Sequence, residues 1–320
     1  MKVTVIGCGR WGSLITWYLD KIGHELCLYG RASSPHMQRF LTERKNDLLE
    51  FPESVKLCTE LSCAQGAEVI VISVPSQALQ GLMDQLKPLN LKNKTFVLCM
   101  KGIEIETGRR LSEVARDNLD PSCAVAVWLG PGHVQEFYAG IPNCMVIDSE
   151  REDVKRRLVQ AFSSDLIRFY YGGDMIGNEV GAAAKNVVGI AAGFLDGVEM
   201  SSLKGALMSR GTREVARLIK AMGGSELSAY GLCHLGDYEA TVFSPYSHNR
   251  QFGEAFIRHQ DFHRLAEGYY TVEALMLLGR QYGVELPICR AVHDILYEHA
   301  APQAALQSLL RRGLRAEFED

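Results

Sequence analysis

No stretch of this sequence carries the roughly 20 consecutive apolar residues that a membrane-spanning helix needs, so membrane insertion is not expected. An excess of one charge sign is lacking too. Across 320 residues, 34 Lys and Arg face 38 Asp and Glu, a formal net charge of -4. That balance gives no general attraction to nucleic acid or to an anionic membrane, so any anionic ligand must be held locally. The nine cysteines include no C-x-x-C pair. Neither a zinc ribbon nor a thioredoxin-like motif is indicated, and reduced, mostly buried thiols with no metal site are the expectation. Internal repeats, low-complexity linkers and long charge blocks are absent. A signal-peptide pattern is also missing, since "MKVTVIGCG" runs straight into a strand, and a cytoplasmic protein is expected.

What is present is a change of pattern along the chain. Short β-branched runs alternate with helical periodicity at first: "KVTVI" (2–6), "ELCLY" (25–29), "EVIVISV" (68–74), "TFVLCM" (95–100), "AVAVWL" (124–129), "CMVID" (144–148) and "IRFYY" (167–171). Such alternation signals βαβ units and a mostly parallel sheet. Beyond Gly177 the strand signal stops. "TREVARLIKAMG" spaces Val215, Leu218, Ile219 and Met222 as one helix face, and "TVEALMLLGRQYG" and "ICRAVHDILYE" repeat the pattern. The expected class is α/β: a Rossmann-type doubly wound domain over 1–177, then an all-helical substrate-binding domain over 178–320.

"KVTVIGCGRWGS" sets Gly7, Gly9 and Gly12 in G-x-G-x-x-G spacing between a strand and a helix. The first glycine permits the tight turn and the second lets the backbone approach a pyrophosphate. The third allows the helix to pack on the sheet, and helix N-terminal amides face the phosphates. An NAD site usually has an acid at the end of the second strand, for the ribose 2′-hydroxyl. Here "ELCLYGRASS" has none, and Arg31, Ser33 and Ser34 stand there instead. These donors suit a 2′-phosphate, so NADP(H) is favoured, with NAD(H) as the alternative.

Ligands of open α/β sheets bind outside the carboxyl ends of the strands. Lys101 ends one strand, in "CMKGIE", and Gly130, Pro131 and Gly132 form a loop after the next. Lys185 is the lone lysine of "GAAAKNVVGIAAG" (181–193), a run of small and apolar residues. Burying an ammonium group there is costly unless it is paired or used, so it either reaches water or faces a ligand. A third cluster, "LCHLGDYEATVFSPYSHNRQFG" (232–253), carries Asp237, Thr241, Ser247, His248, Asn249 and Arg250 in a stretch without continuous apolar periodicity. It reads as a surface loop or as a substrate loop suited to phosphate.

In order and spacing over nearly the whole chain, these motifs resemble the NAD(P)-dependent glycerol-3-phosphate dehydrogenases of bacterial type. The markers are "GCGRWG" (7–12), "VP" (74–75), "KGIE" (101–104), "GP" (130–131), "AAKNVVGIAAGFLDG" (183–197), "KGALMSRG" (204–211), "LGDYEAT" (235–241), "SHNRQFG" (247–253) and "AEGYYT" (266–271). The resemblance implies reversible reduction of dihydroxyacetone phosphate to sn-glycerol 3-phosphate for phospholipid synthesis, with a homodimer as the expected assembly. It implies Lys185 as proton donor, with Lys101 and Asp237 in the catalytic set. Implied cofactor contacts are Gly7, Gly9, Arg10, Trp11, Gly12, Arg31, Lys101, Val134, His248, Leu265 and Glu267. Implied substrate contacts are Lys101, Gly130, Gly132, Lys185, Asn186, Asp237, Thr241, Ser247, His248 and Asn249.

Two positions depart from the family pattern. His248 stands where an arginine is usual, and Gly132 where a serine or threonine is. A histidine lacks the guanidinium fork and is only partly charged near neutral pH. Lys204 or Arg250 is the candidate replacement charge. The rival readings are a related NADP-dependent reductase of another small hydroxy or keto compound, and a non-catalytic NADPH sensor. A sensor would need none of Lys101, Lys185 and Asp237. Bland readings suffice elsewhere: "HQDFH" (259–263) as a solvated helix face, Trp17 and Trp128 as core, "RRGLR" (311–315) as a solvated basic patch on a last helix, and "AEFED" as a frayed tail.

Overall fold

The computed structural model describes residues 1–310, and the basic patch at 311–315 and the acidic tail lie outside them. The strands are Lys2–Ile6 (β1), Glu25–Tyr29 (β2), Lys56–Cys58 (β3), Val69–Ile72 (β4), Thr95–Leu98 (β5), Ala124–Leu129 (β6), Asn143–Asp148 (β7) and Ile167–Tyr171 (β8). The helices among them are Arg10–Lys21 (α1), Pro35–Glu43 (α2), Leu79–Leu86 (α3), Leu111–Asn118 (α4), Val134–Tyr138 (α5) and Glu152–Phe162 (α6). Helices Met175–Gly197 (α7), Lys204–Ala221 (α8), His248–Ile257 (α9), Glu267–Tyr282 (α10), Pro287–Tyr297 (α11) and Pro302–Leu310 (α12) follow. Helix α7 starts before residue 178, so the expected domain division falls inside its first turn.

The strands form one sheet in the order β3-β2-β1-β4-β5-β6-β7-β8, parallel except where β7 runs against β6. Alternation along β1 explains the two layers. Val3 and Val5 point into one core with Leu14 and Ile15 of α1, while Ile6 joins the opposite core with Leu79 of α3 and Leu111 of α4. Because β1 lies between β2 and β4, the strand order reverses direction there, opening the crevice in which such sheets bind ligands.

Strand β3 was not legible as a strand: three residues at the sheet edge are too few for a period-2 pattern. The runs at 68–74 and 95–100 are also shorter than their hydrophobicity suggests. Their last residues leave the ladder to make the turns at the sheet's carboxyl edge.

Helix α7 is the axis of the second half. It is buried from Asn178 to Leu195 and packs against α8, α9, α10 and α11. Small residues make this close approach necessary as well as available. A methyl group added at Gly253 of α9 would sit 2.3 Å from the Ile190 carbonyl oxygen, and one at Gly193 would sit 2.1 Å from that of Arg250. Glu179 ties the start of α7 to α4, accepting from Arg110 Nη1 at 2.8 Å and from the Ser112 amide at 2.9 Å. No helix among the described residues is long and apolar enough to cross a membrane.

Candidate active site

The phosphate-binding turn has the geometry its glycines require. Gly7 has φ +116°, and a Cβ there would lie 2.1 Å from the Ser73 carbonyl oxygen. A Cβ at Gly12 would lie 1.9 Å from the Gly7 carbonyl oxygen, whereas Gly9 faces open space. The N-terminus of α1 has no side-chain cap and no acid in its first turn. Its free amides therefore remain for an outside anion, and the open side of Gly9 admits one. These residues fit a dinucleotide pyrophosphate. Trp11 packs against Phe137, and its Nε1 is buried without a partner among the described residues.

Arg31 is exposed just past the end of β2, with Ser33 exposed beside it. Ser34 is the N-cap of α2, accepting from the Met37 amide at 3.5 Å. Its hydroxyl is thus partly engaged in capping. Glu267 opens α10 and accepts from the Ser76 amide at 3.0 Å, bringing α10 to the end of β4. Burial pushes its carboxyl above the usual range.

The question posed by Lys185 has a structural answer: it does not reach water. The residue is 7% exposed, and its Nζ lies 2.8 Å from Asp237 Oδ2 and donates to Thr241 Oγ1 at 2.8 Å. Lys101 reaches the same oxygen of Asp237 from the end of β5, at 2.7 Å, and donates to the Gly130 carbonyl at 2.6 Å. Two ammonium groups thus share one carboxylate oxygen, while Asp237 Oδ1 is buried with no partner among the described residues. Desolvation is the main force on Lys185 and lowers its pKa to about 8. Asp237 opposes that shift and Lys101 adds to it. Such an ammonium is a stronger acid than an ordinary lysine, yet still mostly protonated at neutral pH.

An amide chain extends from this centre. Asn186 Nδ2 donates to the Lys101 carbonyl at 2.8 Å, Asn249 Nδ2 donates to Asn186 Oδ1 at 3.0 Å, and the Gly268 amide donates to Asn249 Oδ1 at 2.9 Å. The chain links β5, α7, α9 and α10 and fixes which way each amide faces.

The polar stretch over 232–253 is not a loop. It folds as a 3₁₀ turn at Leu235–Asp237 and a π-helical turn at Glu239–Phe243, then enters α9. The π turn holds Thr241 in place, its Oγ1 donating to the Asp237 carbonyl at 2.7 Å. Ser247 is the N-cap of α9, accepting from the Arg250 amide at 3.3 Å, which gives that hydroxyl a structural task. The expected helix at 259–263 is also corrected. The chain leaves α9 after Ile257, and His259 has φ +55°, so the two exposed histidines do not share a helix face.

Neither expected replacement charge is free. Lys204 Nζ and Arg250 Nε both bind Asp196 Oδ2, at 2.7 and 2.6 Å. The guanidinium near His248 comes instead from the phosphate turn: Arg10 Nη1 lies 2.9 Å from His248 Nε2. Arginine can only donate, so His248 accepts and carries its own proton on Nδ1, near the Leu265 backbone. Burial, then Arg10 and Arg264, depress its pKa and keep it neutral. Leu265 is itself exposed. Gly132 has φ +135°, and a Cβ there would lie 2.2 Å from the Phe137 ring, so packing excludes a hydroxyl-bearing side chain. Val134 is buried at the start of α5.

One residue near the lysines was not among the site residues expected from the sequence. His133 Nε2 is buried without a partner among the described residues, and the ring lies near enough to Lys185, Asp237 and Lys101 for their charges to act on it. No spacing marks it; only the fold brings it to the lysine pair.

Comparison with known proteins identifies the family. The family model described as NAD-dependent glycerol-3-phosphate dehydrogenase N-terminus covers residues 2–155, and the corresponding C-terminus model covers 174–307. The chain belongs to the NAD-dependent glycerol-3-phosphate dehydrogenase family. A relative from Prosthecochloris aestuarii named glycerol-3-phosphate dehydrogenase [NAD(P)+] is 34% identical, over 99% of this chain and 100% of its own. One of the same name from Acidithiobacillus ferrooxidans is 36% identical, over 99% and 96%. The crystal structure of glycerol-3-phosphate dehydrogenase from Coxiella burnetii superposes with a TM-score of 0.91 at 30% identity, over 97% of this chain and 99% of that one.

Proposed function

We propose that this protein reduces dihydroxyacetone phosphate to sn-glycerol 3-phosphate with a nicotinamide dinucleotide, reversibly, and so supplies glycerol phosphate for phospholipid synthesis. The observation that carries this reading is the buried Lys101–Asp237–Lys185 centre beside a phosphate-binding turn, in a chain of this family. The bound nicotinamide supplies the hydride. Lys185 holds the proton on Nζ where negative charge develops on the carbonyl oxygen, and transfers it as the alcohol forms. Asp237 pairs with both ammonium groups at short range and opposes the loss of the Lys185 proton. Lys101 and Thr241 fix the approach to the carbonyl, and the Asn186–Asn249 chain orients the substrate.

The substrate's phosphate falls to Asn249 and its neighbours at the start of α9. Gly7, Gly9, Arg10, Trp11 and Gly12 hold the pyrophosphate, Arg31 the adenosine end, and Lys101, Val134, His248, Leu265 and Glu267 the remaining cofactor edge. The absence of an acid after β2 favours NADP(H) over NAD(H). Residues 1–177 act as the dinucleotide domain and 178–320 as the substrate domain, in a cytoplasmic homodimer. A second reading, a reductase of another small keto compound, is favoured by His248 and Gly132 alone.

Both readings are tested by following NADPH oxidation with dihydroxyacetone phosphate, with unphosphorylated dihydroxyacetone, and with NADH in place of NADPH. Turnover confined to the phosphorylated ketone supports the first. Failure of that substrate while NADPH still binds supports the second.

A further inference from the structure

Away from the lysine centre, at the edge of the sheet, three thiols come together. Cys27 is on β2, Cys58 ends β3, and Cys63 lies on the 3₁₀ turn Leu61–Gly66 that leads into β4. Their Sγ atoms all lie within 4.8 Å of one another, and all three residues are half-buried. The fold explains the convergence. In the β2–β3 register Cys27 pairs with Lys56 and Tyr29 with Cys58, which puts Cys27 and Cys58 on one sheet face, opposite Leu28 and Leu57. The 3₁₀ turn covers that face, held by Thr4 Oγ1 donating to the Cys63 carbonyl at 3.3 Å. Among the described residues every cysteine is a free thiol. Five of the nine are only half-buried, which corrects the expectation of mostly buried ones.

We propose that Cys27, Cys58 and Cys63 bind a thiophilic cation, Zn²⁺ or Cu⁺, as a three-thiolate site. Three soft ligands suit either ion, and a Zn–S bond of about 2.3 Å places thiolates about 3.8 Å apart. Reaching that spacing from within 4.8 Å takes only side-chain adjustment. The Glu60 amide points at Cys58 Sγ from 3.4 Å, a backbone donor of the kind that stabilises a bound thiolate. Partial exposure provides a path in and leaves a fourth position to water. Binding expels the three thiol protons to solvent, so the site tightens as pH rises. Each ligand comes from a different element, which is why no C-x-x-C spacing announces the site.

The experiment uses the full chain, reduced and stripped of metal. Zn²⁺ and Cu⁺ uptake are measured separately by competition with a chromophoric chelator for each, and Co²⁺ serves as a spectroscopic probe. The expected result is one ion per chain for Zn²⁺ or Cu⁺, with thiolate-to-cobalt charge-transfer absorption. Binding should weaken by about 100-fold or more in Cys58→Ser and in Cys63→Ser, since removing a ligand costs at least what removing a supporting contact does. It should be unchanged in Cys144→Ser, a half-buried thiol elsewhere. Circular dichroism checks that each variant is folded, independently of turnover. No stoichiometric uptake of either ion, or uptake that persists in both variants, overturns the proposal.

Discussion

Replacing Asp237 by asparagine keeps the shape of the centre and removes its only negative charge. Contacts of 2.7 and 2.8 Å to the same oxygen cap the separation of the two ammonium groups at about 5.5 Å. At an effective dielectric of about 20, two unit charges about 5.5 Å apart repel by about 3 kcal/mol, equivalent to about two pH units. The attraction lost acts over half that distance and is larger, so the lysine that titrates first should drop by two units or more. Lys185 starts at about 8 and is the more buried of the two.

A group with a pKa near 8 is about nine-tenths protonated at pH 7, and one near 6 about one-tenth. Reduction needs the protonated acid, so kcat for Asp237→Asn at pH 7 should fall about tenfold or more through protonation alone. The assay is NADPH-dependent reduction across pH 5 to 9, with NADPH affinity measured alongside. The basic limb should move from near 8 to near 6 or below, and acidification should restore activity. Simple damage to the fold gives a loss that low pH does not rescue. A limb that stays near 8, or a loss that persists at pH 5.5, would refute the assignment of Asp237 as the balancing charge.

Lys185→Ala should lower kcat by about 10² to 10⁴ while leaving NADPH binding, followed by cofactor fluorescence, within a few-fold of wild type. Equal loss of both would move Lys185 out of the chemistry. Arg31→Ala should cut the preference for NADPH over NADH about tenfold with little change for NADH, because Arg31 faces only the 2′-phosphate in the proposed mode. Gly253→Ala should destabilise the fold by roughly 2 kcal/mol in denaturant melts, since its methyl group meets the Ile190 carbonyl oxygen and α9 must back away from α7. His234 is buried, bonded to the Gly181 carbonyl and to the Tyr238 hydroxyl, and desolvation lowers its pKa to about 4. Below pH 6.5 the unfolded chain takes up a proton that the folded chain refuses until about 4, so this group removes stability as pH falls through that window. An NMR titration showing His234 protonating near 6.5 would contradict this.

The parts of the molecule that were legible in the sequence are those where one local pattern does one job. The turn at Gly7, Gly9 and Gly12, the alternation of β1 and the Lys185 anomaly each belong to a single element, and local physics suffices to read them. The expected polar loop over 232–253 failed because its hydrogen bonds come from the fold: a π turn and a helix cap satisfy them, and neither has a strong apolar period. The replacement charges failed for a related reason. Arg250 and Lys204 looked available because Asp196, which occupies both, lies on another helix. Arg10 was expected only as a cofactor contact in the glycine turn until the fold laid it on His248, 238 positions away. The departure at His248 therefore tests the pair rather than one residue. His248→Arg would bring a second guanidinium against Arg10, with Arg264 already acting on the same site, so the family's usual side chain is expected to weaken cofactor binding in this chain. Pairing it with Arg10→Ser should relieve that repulsion, and a double variant no better than His248→Arg alone would show that the two positions are not coupled.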